Sequence, residues 1–556
     1  MSRPCFARPA LSVPGTVALA AVPVAFVTVF LLWPVAMLIS KGLINQGQLD
    51  LSVFADLASS GRTWRLIGRT VGQATLATVI AAVASIPLAK CLYLRRWPGR
   101  STVKLLVTVP FVLPAVVVGL AFRMVFAADG PLGLLHLDGS FPAVVAALVF
   151  FNLGLMVRVV GSFWSKLDPK PEQAARLLGA SPARAFYSVT LRQLTPAVAA
   201  GAALVFLFSA TAFATVLILG GPAYGTVETE IYLQTTQLLD LRTAAALSLV
   251  QLVIVAVALW LSGSARRARQ RAEPLRPAQA RHRPRLGSGD LLAAATTAVA
   301  TVFILLPLAA LLARSLRTST GLGLGNYARL ASQPVPGLEV TPLQTLGRSL
   351  AVSALALIVA MSVGGCMAVV LSRRPRHRWL ARLQGLADSA FMLPAGISAV
   401  TVGFGLFVTL DRGPLDLRTS FWLIPLAQAL VALPLVTRVL LPGRRAIDPR
   451  QRQAAAVLGA SPRRVFAAID LRVMARPFAL ASAYALAVSL GEFGATAFLV
   501  RPESTTLPIA IYRLMGRPGV DNLGTALAAA VLLGLVACGV VALAELRRPG
   551  GQEVAW

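Results

Sequence analysis

Residues 173–186 read QAARLLGASPARAF, and residues 453–466 read QAAAVLGASPRRVF. Ten of the fourteen positions are identical at an offset of 280. The same offset aligns Leu113-Pro114-Ala115 with Leu393-Pro394-Ala395, Arg158 with Arg438, Asp168-Pro169 with Asp448-Pro449, and Ile231-Tyr232 with Ile511-Tyr512. The chain is therefore built from two homologous halves. The repeated segment is polar, so a shared apolar composition does not account for the match. Its local chemistry is readable. Asp168 and Asp448 can each cap a helix that carries Pro169 or Pro449 in its first turn. Gly179 and Gly459 suit a left-handed helix end. Ser181 and Ser461 can then cap a second helix starting at Pro182 or Pro462. Each copy is predicted to be a short helix, a tight bend and a second helix. Such a rigid element suits docking into the groove of a partner.

The rest of the chain says where these elements lie. Of 556 residues, 56% are hydrophobic and 13% charged, whereas soluble domains carry about 25% charged residues. That composition cannot supply a polar shell, and it excludes an ordinary cytosolic enzyme. Apolar stretches of spanning length recur near 15–40, 70–94, 104–127, 141–163, 194–220 and 243–263. They recur again near 290–313, 346–371, 386–410, 420–441, 476–500 and 524–545. In hydrocarbon each backbone polar group must be satisfied within its own segment, so these are predicted to be helices. The fold expected is an all-α polytopic membrane protein of about twelve transmembrane helices. Six is even, so both halves insert with the same orientation, and the repeats are parallel. The first apolar run is too long for a signal peptide and is read as span one.

A net charge of +30 would suggest nucleic acid in a soluble protein, but here its distribution matters more. Basic residues crowd alternate loops: Arg95, Arg96, Arg100 and Lys104; then Lys166, Lys170, Arg176, Arg184 and Arg192; then eight Arg within 264–289. Later come Arg373, Arg374, Arg376, Arg378 and Arg382, and then Arg444, Arg445, Arg450, Arg452, Arg463, Arg464 and Arg472. The intervening loops are poor in them. By the positive-inside rule both termini and the basic loops are cytoplasmic, with no nucleic-acid partner expected. The domain division follows: 1–64 for span one and a first periplasmic loop, 65–263 for the first repeat, and 264–289 for a basic cytoplasmic linker. Then come 290–344 for span seven and its periplasmic loop, 345–545 for the second repeat, and 546–556 for a tail. Four Cys and three His are scattered without metal-ligand spacing, so no metal site is expected.

The repeated segments resemble the cytoplasmic loop motif (Glu-Ala-Ala, three residues, Gly) of permease subunits in binding-protein-dependent ABC importers. The matching positions are Gln173, Ala174, Ala175 and Gly179, and Gln453, Ala454, Ala455 and Gly459. Gln replaces the leading Glu in both copies, and Glu172 stands one place early in the first half only. The resemblance covers roughly 65–263 and 345–545. Within that family the string Ser489-Leu490-Gly491-Glu492-Phe493-Gly494-Ala495 resembles permeases for thiamine, ferric iron and, more distantly, sulfate or molybdate. The stretches around Phe213–Leu217, Gly220-Gly221-Pro222 and Glu228–Tyr232 are most similar to permeases for thiamine and thiamine pyrophosphate.

The resemblance implies transport driven by ATP, yet the sequence holds no GxxxxGK[ST] loop and no Lys after Lys170. ATP and Mg would then sit in a partner, which the family makes a homodimeric ATPase, and this chain would bind no cofactor. Glu172, Gln173, Ala174, Ala175, Gly179, Ser181 and Pro182, with Gln453, Ala454, Ala455, Gly459, Ser461 and Pro462, would form the two ATPase-coupling loops. A periplasmic solute-binding protein would deliver the small-molecule substrate, because the outer loops are too short to capture it. Ionisable groups within spans are costly and become pathway candidates. Glu492 in span eleven could attract a thiazolium cation, make a packing hydrogen bond or pair with Arg123. Arg123 in span three could meet a phosphate or pair internally. Pro114 and Pro394 are predicted to kink their helices. The competing readings are an iron importer and a twelve-span secondary transporter; the latter would need an intramembrane chain of acids or His that this sequence lacks.

Overall fold

The computed structural model describes residues 13–45, 47–221, 224–271, 284–319, 321–373, 378–410, 417 and 420–546. Most of the predicted linker (272–283) and the tail from 547 lie outside the described residues. Among the described residues the structure is all-α apart from two minimal hairpins, Ile44–Asn45 with Gln48–Leu49 and Arg317–Thr318 with Gly321–Leu322.

Among the described residues ten helices are long and apolar enough to cross a membrane: Leu19–Leu43, Gly61–Leu94, Phe141–Trp164, Pro182–Ala210, Leu241–Trp260, Leu291–Ser315, Pro342–Leu371, Leu423–Arg445, Arg463–Gly491 and Val520–Ala544. These are spans one, two, four to eight and ten to twelve. Spans three and nine are bent pairs, Arg100–Phe111 with Ala115–Phe126 at 104° and Ala381–Pro394 with Ala399–Thr409 at 98°. Counting each pair once gives twelve.

The bends are far larger than the kinks expected. In span three Pro114 has left the helix altogether (ψ 137°) and stands just before the second arm. It has no N–H to continue the ladder, and it disfavours helical geometry at Leu113. In span nine the break falls four residues later, at Ser398, whose side chain accepts from Thr401 N at 3.1 Å and restarts the helix. Pro394 lies in the last turn of the first arm. Spans five and eleven also end earlier than predicted. Their helices stop at Ala210 and Gly491, and short helices Ala214–Gly220 and Thr496–Leu499 follow.

The chain forms two compact units that do not follow the halves. One holds residues 39–347 and 505–538, so it contains spans two to six, span seven and most of span twelve. In it span two packs on spans four and five, and span seven on span two and the second arm of span three. Small residues permit the close approach: a Cβ at Gly154 would run into the carbonyl of Val107. The other unit holds residues up to 38, 348–504 and the end of span twelve from 539, so most of span one lies with spans eight to eleven. There span ten packs on span eleven, and span one meets the second arm of span nine.

Candidate functional site

The loop after span four starts at Asp168, whose Oδ1 accepts from Lys170 N at 3.1 Å. The helix Lys170–Leu177 follows. It ends in a Schellman motif: Ala180 N donates to Ala175 O at 3.0 Å and Gly179 N to Arg176 O at 3.1 Å, with Gly179 at φ +89°. Ser181 Oγ then accepts from Arg184 N at 3.3 Å, and the helix starting at Pro182 leads into span five. The second copy repeats each step. Asp448 Oδ1 accepts from Arg450 N at 2.8 Å, and the helix is Pro449–Val457. Ala460 N donates to Ala455 O and Gly459 N to Ala456 O, both at 3.0 Å, with Gly459 at φ +78°. Ser461 Oγ accepts from Arg464 N at 3.4 Å, and Pro462 opens the next helix. No Cβ added at Gly179 or Gly459 would touch anything, so only the left-handed backbone requires glycine there.

The two loops share one exposure pattern, position for position. Over 171–180 and 451–460 only Glu172, Ala175 and Ala180, or Arg452, Ala455 and Ala460, turn inward. Gln173, Ala174, Gln453 and Ala454 are exposed. At the tips stand two apolar pairs that the sequence reading missed: Leu177 and Leu178, both 89% exposed, and Val457 and Leu458, 74% and 86% exposed. Their alignment under the repeat was available as a signal, since an apolar pair just before the bend glycine is retained in both copies of a polar segment. Both tips therefore present large apolar side chains to solvent on a short helix ending in a tight bend.

The inward residues differ in chemistry. Glu172 accepts from Thr190 Oγ1, eighteen residues on. At the equivalent positions Arg452 makes an ion pair with Asp470, with Arg452 Nε to Asp470 Oδ2 at 3.2 Å. Thr190 and Asp470 are themselves buried, each in a π-helical turn at the base of the returning helix.

The pathway candidates fall elsewhere. Glu492 is not in mid-helix, as its sequence position suggested. It sits at the break after span eleven with extended backbone (ψ 124°), and it is buried. Its Oε1 accepts from Ala495 N at 2.7 Å, and its Oε2 accepts from Thr496 N at 3.0 Å and from the Thr496 hydroxyl. The carboxylate thus caps the short helix that follows. Arg123 lies in the last turn of the second arm of span three, half-buried, in the other compact unit. Among the described residues no group of three or more His, Cys, Asp or Glu is placed to hold a metal ion.

At the near end of span seven, Asp290 accepts from Arg95 Nη2 at 3.0 Å and pairs with Lys90 Nζ at 2.8 Å. Arg96 N donates to Pro284 O at 3.0 Å beside it. Burial alone would raise the Asp290 carboxyl, but the Arg95 and Lys90 hydrogen bonds outweigh it and hold the group below the ordinary carboxylate range.

Residues 74–270 match the family of binding-protein-dependent transport system inner membrane components, a stretch that includes the first helix–bend–helix loop. Over that stretch the chain has the likeness of the membrane module of a binding-protein-dependent ABC importer. The internal offset of 280 aligns segments of this stretch with segments of the second half. The chain is 25% identical to the thiamine transport system permease protein ThiP of Brucella abortus, over 88% of this chain and 89% of that protein. It is 27% identical to ThiP of Salmonella typhimurium over 82% and 84%, and 26% identical to a probable ABC transporter permease of Sinorhizobium fredii over 93% and 94%. It is a multi-pass inner-membrane transport subunit that works with a solute-binding protein and an ATPase.

Proposed function

We propose that this permease imports thiamine or thiamine pyrophosphate into the bacterial cytoplasm. The similarity to thiamine permeases over more than four-fifths of both chains carries the substrate. The duplicated loop, with an exposed apolar tip on each copy, supports the mechanism. A homodimeric ATPase offers two equal grooves, one for each loop. ATP and Mg bind in that partner, and this chain has no nucleotide site of its own, in keeping with the missing phosphate-binding loop. Both termini and both loops face the cytoplasm, and a periplasmic binding protein delivers substrate from the other side. Closure of the ATPase dimer on ATP drives the docked loops, and the spans rock between outward- and inward-open arrangements.

The test is uptake of labelled thiamine and of labelled ferric iron by cells lacking the gene and by the same cells carrying it on a plasmid. Thiamine uptake restored by the plasmid, with iron uptake unchanged, is the expected result. Restoration of iron uptake alone would overturn the substrate.

A further inference from the structure

The helices that carry the exposed tips are short, and little holds them down. Each turns one alanine and one polar side chain inward, and an alanine methyl offers only slight apolar burial. Among the described residues a polar pair ties each helix back, Glu172 with Thr190 in the first copy and Arg452 with Asp470 in the second. Both pairs join equivalent positions near the start of the tip-bearing helix to the base of the returning span, and both bridge eighteen residues. The contact is kept while its chemistry is exchanged: a carboxylate accepting from a hydroxyl in one copy, a guanidinium on a carboxylate in the other. A mere relic of duplication would keep the residues or lose the contact. Keeping the contact through a change of both partners points to the contact itself as what matters.

We propose that each pair is a brace: Glu172–Thr190 and Arg452–Asp470 lock the tip-bearing helix to the span behind it, so that displacement of the tip moves the span instead of tilting the helix alone. These are positioning residues. They turn inward, whereas Leu177, Leu178, Val457 and Leu458 are exposed. A helix whose brace is cut still docks on the ATPase but yields under load. ATP is then hydrolysed without a matching movement of substrate.

This rests on the reading of the chain as an ATPase-driven permease, and the experiment separates the two. The full complex of permease, ATPase and binding protein is reconstituted in vesicles, and ATP hydrolysis and labelled thiamine entry are measured together. Wild type that hydrolyses ATP without importing thiamine would refute the substrate, not the brace. Given a working wild type, D470A and T190A are expected to keep ATPase binding and at least half of the hydrolysis rate while thiamine moved per ATP falls about tenfold. Arg444 lies close enough to Arg452 and Asp470 to feel their charges, so R452A alone can leave Asp470 with a substitute partner. The decisive variant is therefore the transplant R452E/D470T, which puts the first copy's pair into the second. It is expected to restore the wild-type ratio. Wild-type coupling in D470A and T190A, or a transplant no better than D470A, would overturn the proposal. Should the single variants fail to reach the membrane, the transplant decides alone, because a merely structural gap is not filled by an acceptor and a hydroxyl chosen only from the repeat.

Discussion

Glu492 shows how a costly residue can be structural. A carboxylate in an apolar span would ordinarily mark a pathway, yet both of its oxygens are engaged by backbone and hydroxyl donors three and four residues ahead. Removing it strands two buried N–H groups, at a cost of about 1–3 kcal/mol. E492A is expected to lower the thermal unfolding midpoint of the detergent-solubilised permease, and E492Q, which keeps one acceptor oxygen, to lower it less. Transport should fall in step with the amount of folded protein. Loss of thiamine uptake in E492Q at wild-type stability would instead return Glu492 to the pathway. This cap was half legible in the sequence. Spacing to Thr496 is local, but the stretch 476–500 is long enough for one continuous span, which masks the stop at Gly491.

At the scale of elements, the helix–bend–helix loops were the most legible part of the protein. Capping side chains, first-turn prolines and left-handed glycines act within three to five residues, so their signals sit side by side in the chain. Asp448, Gly459 and Ser461 all take the backbone roles their types suggested, as do Asp168, Gly179 and Ser181. The tips are a different matter, because their exposure depends on what surrounds them. L178D and L458D are expected to leave membrane abundance unchanged, since both side chains already face solvent. Combined, they should abolish co-purification of the ATPase. Retention of the ATPase by the double variant would show that the tips are not its docking surface. The bent spans show the limit of reading a proline. Pro114 and Pro394 announce an interruption, but tertiary packing chooses between a kink and a turn near 100°.

At the scale of the whole molecule, the two compact units exchange elements between the halves. Span seven, which opens the second half, packs with spans two to six, and span one packs with spans eight to eleven. The Asp290 clasp fixes the near end of span seven to span two through Lys90 and Arg95. Its pH dependence has a definite sign. The folded carboxyl titrates below its ordinary value of 3.8. Its stabilisation is therefore fully present above that value and is lost as pH falls through the lower, folded one. Unfolding midpoints of wild type and D290N should differ by a constant amount from pH 5 to pH 8 and converge in stronger acid. Equal midpoints across the neutral range would show that the clasp adds nothing.

Sequence alone settled the apolar spans, the duplication and the chemistry of the two loops, because each rests on composition or on residues a few places apart. Tertiary structure decided the rest: which half each outer span joins, how sharply spans three and nine turn, and which side chains tie the loop helices down. Those outcomes depend on contacts tens to hundreds of residues apart. Between near-equivalent apolar helices, only the fit of particular surfaces selects among them.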